Sequence, residues 1–153
     1  MNTVTKEFTF DAAHLLVDHE GQCANLHGHT YKVQVTLTGE VGDEGMLVDF
    51  GTLKKIVNEA FLEEVDHSFV CNIVGDGFET ILRGMLLERG MKVYGIPGPA
   101  TAEIMAEHFY DTLQHVIEQE CDEEGLKVLC VRVWETPTSY AEYFGLTGEE
   151  CDA

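Results

Sequence analysis

Near the start of the chain, Val4, Phe8, Phe10, Ala12 and His14 share one parity, while Thr3, Thr5, Glu7, Thr9 and Asp11 hold the other. Alternation with period two predicts a half-buried strand over about residues 3–14. A second alternating run sets Tyr31, Val33, Val35 and Leu37 against Thr30, Lys32, Gln34 and Thr36. It predicts a strand over about 27–39, with His27 and His29 on the apolar parity. His14 therefore closes the apolar face of the first strand, and His27 opens that of the second. If the two pair as an antiparallel hairpin, all three imidazoles converge at one end of one face.

The remaining pattern supplies the other elements. Residues 15–26 read as a loop holding Asp18, His19, Gly21 and Cys23. Gly45 to Phe50 reads as a short third strand, and Asp49 is placed to cap the helix after it. There Leu53, Ile56, Val57, Ala60 and Phe61 recur at helical spacing over about 51–64. A second amphipathic segment, about 77–89, carries Phe78, Ile81, Leu82, Met85 and Leu86, with Gly90 to stop it. Met91 to Tyr94 reads as a short strand, and Pro97-Gly98-Pro99 as a break. The longest helix spans about 101–120 on the stripe Ala102, Met105, Ala106, Phe109, Leu113, Val116 and Ile117. In the run Lys127 to Glu135, Leu129, Val131 and Val133 form one face and Val128, Cys130 and Trp134 the other. Two apolar faces suit a central strand or a subunit contact. Ser139 to Phe144 adds a last short strand. Strands at both ends with helices between them predict an α+β layer, an antiparallel sheet with helices on one face. A single domain is expected over 1–145, followed by an acidic tail, 146–153.

Composition narrows the function classes. At 153 residues and 44% hydrophobic, the chain can bury a core. No apolar run is long enough to span a bilayer, and no basic-then-apolar leader opens the chain. With 28 acidic residues against 9 Lys+Arg, the formal charge is −19, which repels phosphate backbones and makes nucleic acid an unsuitable partner. Five cysteines at wide, irregular spacing do not form a disulfide framework, so a reducing, cytoplasmic compartment is expected.

The candidate chemistry centres on the three histidines. Three neutral imidazoles with an open fourth position make a catalytic zinc site. Cys23, in Cys-x3-His-x-His spacing, has two readings. It is a fourth, thiolate ligand that closes a structural site, or a free thiol beside the metal that serves as a base. Asp66-His67 reads either as a helix end or as a carboxylate that orients an imidazole. Glu135 ends an apolar strand face, where a carboxylate needs a partner. A ring with two parallel N–H donors, such as an amino-pyrimidinone, would satisfy it, and so would a distant arginine. Glu103 suits a helix N-terminus. His19, His108 and His115 read as surface or helix-face residues.

Phe10-Asp-Ala-Ala-His14, Cys23-x3-His27-Gly-His29-x-Tyr31, Gly45-Met-x-Val-Asp-Phe50, Asp66-His67, Thr101-Ala-Glu103 and Trp-Glu135-Thr-Pro-Thr-x-Tyr-Ala occur in that order. The set resembles the 6-pyruvoyl-tetrahydropterin synthase family, and within it the 6-carboxy-tetrahydropterin synthases, over about residues 5–144. The resemblance implies a tunnelling fold: a four-stranded antiparallel sheet with two long helices on one side. It implies assembly as a homohexamer, a dimer of trimers. It implies zinc on His14, His27 and His29, with Cys23 abstracting a proton and Asp66 and His67 as its partners in proton transfer. Glu135 would grip the pterin ring, with Thr101 and Glu103 near that pocket. The implied substrate is 7,8-dihydroneopterin triphosphate, cleaved by carboxy-forming members to release acetaldehyde and triphosphate on the route to queuosine. Pyruvoyl-forming members stop after triphosphate elimination and internal redox. The chain departs from compact members by an inserted helical segment within 68–100, and by Ala102 where some members carry a second threonine. A structural zinc domain and a zinc hydrolase using His67 as base are the readings from other classes.

Overall fold

The two alternating runs pair as expected. Strand β1 (Asn2–His14) and strand β2 (His27–Gly39) form one antiparallel ladder in unbroken register from Asn2↔Gly39 to His14↔His27. Phe8, Phe10, Tyr31, Val33, Val35 and Leu37 turn inward, and Glu7, Thr9 and Asp11 stay exposed on the other face. This computed structural model describes residues 1–75, 77–121 and 125–145, so the acidic tail expected at 146–153 lies outside the described residues.

The segment 45–50 does not form a strand. The amide of Gly42 donates to the carbonyl of Met46 and that of Gly45 to Gly42, which closes a turn. Only Leu47 and Val48 remain before Asp49, and both are buried as a loop against the core. Asp49 does cap the next helix, its Oδ1 accepting from Gly51 N at 2.8 Å and Thr52 N at 3.2 Å. That helix, α1, begins as Phe50–Val57, widens into a π-helical stretch Asn58–Leu62 and ends in the turn Glu63–Val65.

The chain after α1 corrects the expected sheet. Ser68–Asn72 is a strand, β3, pairing parallel to β1 through Ala12↔Ser68 and Ala13↔Phe69. Helix α2 (Phe78–Glu88) then leads to β4 (Val93–Ile96), which pairs parallel to β3. A parallel pair needs a crossover, and α2 is that crossover. Val70 joins the main core, whereas Phe69 and Cys71 pack with Leu15 and, from α2, with Leu82 and Leu86. Apolar residues on both faces of β3 thus account for helices on both faces.

Helix α3 (Ala102–Glu120) buries Met105, Ala106, Phe109, Leu113 and Ile117 against the sheet. Phe109 stacks on Phe61 of the π stretch at 4.3 Å and meets Phe10 edge-on at 5.9 Å, locking α1, α3 and β1 together. Strands β5 (Lys127–Thr136) and β6 (Ser139–Phe144) complete the sheet, in the order β4-β3-β1-β2-β5-β6. The expected four-stranded antiparallel sheet with two helices is therefore, among the described residues, a six-stranded mixed sheet with three helices. The four antiparallel strands are its part β1-β2-β5-β6, and the inserted segment adds the parallel pair. The face expected for Leu129 is also corrected. The ladder skips it, pairing Thr36 with Cys130 and Leu37 with Val128, so Leu129 is a bulge residue and Val128 joins Val131 and Val133 in the core.

A candidate metal centre and its pocket

The register of β1 and β2 makes His14 and His27 direct cross-strand neighbours, with His29 two residues further along the same face. The ring centroids lie 4.6 Å apart for His14 and His27, 5.1 Å for His14 and His29, and 4.9 Å for His27 and His29. One ring nitrogen of each lies within 4.8 Å of the others. Cys23 is not a member of this group, which argues against a fourth thiolate ligand.

The hydrogen bonds around the rings fit a metal. His14 Nδ1 lies 2.6 Å from the Ala100 carbonyl, and His27 Nδ1 lies 2.6 Å from the Asn25 carbonyl. A carbonyl only accepts, so each Nδ1 carries a proton and donates it. Both Nε2 atoms then present lone pairs, and they face each other at 3.1 Å. Burial lowers the fully buried His14 below the ordinary imidazole value, outweighing the Ala100 carbonyl, so the ring is neutral. His29 Nε2 is buried and has no hydrogen-bond partner among the described residues; Glu135 Oε1, at 3.6 Å, is too distant. Lone pairs that converge without a proton between them suit a cation, and backbone acceptors on the far nitrogens fix such ligands.

A pocket of about 330 Å³ lies beside this centre. Cys23, half-buried on a short 3-10 turn (Gln22–Ala24), lines it with Thr101, Glu103 and Glu135. Sequence spacing had linked these four only through the family resemblance, and tertiary structure brings them to one cavity. Two of them also have plain structural duties. Thr101 is the N-cap of α3, its Oγ1 accepting from Ile104 N at 3.3 Å, and Glu103 sits in that helix's first turn. Among the described residues, no Lys or Arg pairs with Glu135; Arg132 instead binds Glu142 at 2.7 Å. Ser139, Tyr140 and Ala141 of β6 and Leu16 and His19 of the β1–β2 loop also line the pocket. His19, which reads from sequence as a surface residue, thus joins the pocket, and its only sequence signal is a place in the same loop as Cys23.

Asp66 and His67 do not line this pocket. Asp66 Oδ1 accepts from the Asp11 amide at 2.9 Å and contacts His67 Nδ1 at 3.0 Å, and His67 N donates to the Asp11 carbonyl. The Asp11 amide, and then His67, hold the Asp66 carboxyl below its usual range. His67 takes a left-handed backbone at φ 62°, uncommon for a residue with a Cβ. It lines a cleft with Asp11, Gly28, His29, Thr30 and Ser68; His29 thus joins this cleft to the three-histidine centre, while Cys23 does not contribute to it.

A helix-backed sheet with three convergent imidazoles beside an acidic pocket defines an α+β protein whose histidine triad could hold a metal ion. Residues 3–146 match the family model for 6-pyruvoyl tetrahydropterin synthase. The chain is 40% identical over 147 residues to the 6-carboxy-5,6,7,8-tetrahydropterin synthase of Haemophilus influenzae, covering 94% of this chain and 99% of that protein. Its fold is similar to an uncharacterized protein of Wolinella succinogenes (TM-score 0.77, 24% identity, 94% and 98% of the two chains). It is also similar to the 6-pyruvoyl tetrahydropterin synthase of Caenorhabditis elegans (TM-score 0.67, 25% identity, 94% and 95%). The chain therefore belongs to the 6-pyruvoyl tetrahydropterin synthase family and is an enzyme of that family. No helix among the described residues is long and apolar enough to cross a membrane.

Proposed function

We propose that this enzyme is a zinc-dependent 6-carboxy-5,6,7,8-tetrahydropterin synthase. Its substrate is 7,8-dihydroneopterin triphosphate, its by-products are acetaldehyde and triphosphate, and its product feeds 7-deazaguanine (queuosine) synthesis in the cytoplasm. The observation that carries this reading is the convergence of His14, His27 and His29 beside a pocket lined by Cys23, Thr101, Glu103 and Glu135. The name of the Haemophilus relative supports the carboxy-forming product.

His14, His27 and His29 would hold the zinc, leaving a position open. Zinc bound there supplies a Lewis acid that acidifies side-chain hydroxyls. Glu135 accepts two parallel N–H bonds from the pterin ring, a charge-assisted pairing that orients the substrate. Thr101 and Glu103 line the wall beside it. Cys23 takes a proton from the substrate side chain. His67, oriented by Asp66, returns a proton. His67 lines a cleft shared by His29 but not by Cys23, so in this reading a neighbouring copy supplies His67 to the Cys23 pocket, within a homohexamer, a dimer of trimers, built from a single catalytic domain over 1–145.

Mass spectrometry of the products from dihydroneopterin triphosphate and zinc-loaded protein tests the reading. The expected result is 6-carboxytetrahydropterin with stoichiometric acetaldehyde. A 6-pyruvoyl product without acetaldehyde would assign the triphosphate-eliminating activity instead, and unaltered substrate would overturn the proposal.

A further inference from the structure

Helix α2 has two apolar sides, and the fold covers one of them. Leu82 and Leu86 pack inward with Phe69 and Cys71 of β3. Phe78, Ile81 and Met85 recur at three- and four-residue spacing on the outward side, where they are 61%, 62% and 61% exposed. Ile73 and Val74, before the helix, and Met91, after it, are exposed as well. Nearly half of the exposed large hydrophobic side chains among the described residues fall between Ile73 and Met91. Single exposed apolar residues need no explanation, but a concentration of them marks a contact surface.

Two further observations bear on what covers this face. The first is Gly84, in the middle of the same outward stripe and exposed. Glycine in a helix interior is destabilising relative to alanine. Beyond the helix's own backbone, a Cβ at this position would meet nothing within 4 Å, so no packing within the chain requires the glycine. A second helix crossing here would, because a missing side chain lets two backbones approach closely. The second observation is charge. Residues 77–92 hold three cations, Arg83, Arg89 and Lys92, against two carboxylates, Glu79 and Glu88, a net +1 in a chain of −19. The remainder therefore carries all of the net negative charge. Two copies that meet elsewhere bring like charges together, whereas two that meet through α2 keep their acidic surfaces apart. The same acidic remainder repels an anionic bilayer.

We propose that the outward face of α2 is an interface between two copies of this chain, paired across a two-fold axis through Phe78, Ile81 and Met85 with Gly84 at the crossing. In an antiparallel pair, Ile81 of each copy reaches Met85 of the other, so one patch serves both sides. A stable interface uses about 20–30 residues a side, and residues 73–92 approach that size. The inference deepens the assembly reading of the preceding subsection by naming a contact surface, and it needs none of the pterin chemistry.

The test compares the zinc-loaded full chain with the double variant Ile81→Glu/Met85→Glu and with Gly84→Gln, all at exposed positions. Mass is read by light scattering and sedimentation velocity over a micromolar dilution series, and folding by circular dichroism and zinc content. Wild type should be a hexamer, and the double variant should be folded, zinc-loaded and half its mass. Gly84→Gln should stay folded while its two-fold contact weakens about 10- to 100-fold. A wild-type dimer that becomes monomeric in the double variant would support the contact and overturn the hexamer. A wild-type hexamer whose mass the double variant leaves unchanged, or whose dissociation Gly84→Gln leaves unchanged, would overturn the contact alone. A monomeric wild type would overturn both. Variants that unfold or lose zinc would also overturn the contact, since the face would then be packed within its own chain. So would wild-type protein that sediments with phosphatidylglycerol vesicles while the double variant does not, which assigns the face to a bilayer.

Discussion

His14 and His27 face each other across the β1–β2 ladder with their Nε2 atoms 3.1 Å apart, while the Nδ1 of each ring donates backwards to a backbone carbonyl. The pair is therefore arranged around something that accepts lone pairs. Ala100, just before α3, and Asn25, just before β2, hold the two rings in that tautomer.

Purified protein should carry about one zinc per chain, since three imidazoles form one site with an open position. His27→Ala or His29→Ala should abolish zinc binding and turnover together, as measured by atomic emission and a coupled assay. Full occupancy in either variant would remove the site assignment.

Cys23 lies outside the three-histidine group but inside the pocket, so its loss should spare the metal. In Cys23→Ala, zinc content, oligomeric mass and substrate affinity should stay at wild-type values while turnover falls about 10²–10⁴-fold. Thiol alkylation should reproduce the loss, and bound substrate should protect. A variant that sheds zinc would point to a ligand role instead.

Glu135 has no Lys or Arg partner among the described residues, so its charge is free to hold a ligand. A hydrogen bond to a charged group is worth about 1.5–3 kcal/mol, so Glu135→Gln should weaken substrate binding by about 10- to 100-fold. Turnover at saturation should change less than affinity. Equilibrium titration with the pterin would show whether affinity is the quantity lost.

Asp66 sets a pH window for stability. The Asp11 amide, and then His67, depress its folded-state carboxyl pKa. A depressed pKa contributes stability that is present above the unfolded value, about 3.9, and is lost as pH falls through the folded value. Urea midpoints should therefore decline more steeply below about pH 4 in wild type than in Asp66→Asn. Parallel curves would mean that the Asp11 contact contributes nothing to folding.

The reach of the sequence is plainest in β1 and β2. Strict alternation over two long runs assigns His14, His27 and His29 to one face, because a one-residue slip would expose every apolar side chain. The Asp49 cap and the stripe of α3 were legible for the same reason: local chemistry and period act within a few residues. The strand expected at 45–50 failed because a turn closed by Gly42 and Met46 consumed it, leaving no length to pair. Strand β3 was missed, and β4, expected at Met91 to Tyr94, was set two residues early with its parallel pairing unseen, because a short apolar run has no periodicity to declare it and its partners lie far away in sequence. The bulge at Leu129, the common pocket of Cys23, Thr101, Glu103 and Glu135, and the separation of His67 from Cys23 were likewise decided only by the fold. Each depends on how distant segments cross or align, and alternation within one segment carries no such information. Tyr31 shows the division within a single residue. Its parity marked it as core, but only the tertiary structure revealed a buried hydroxyl with no partner among the described residues.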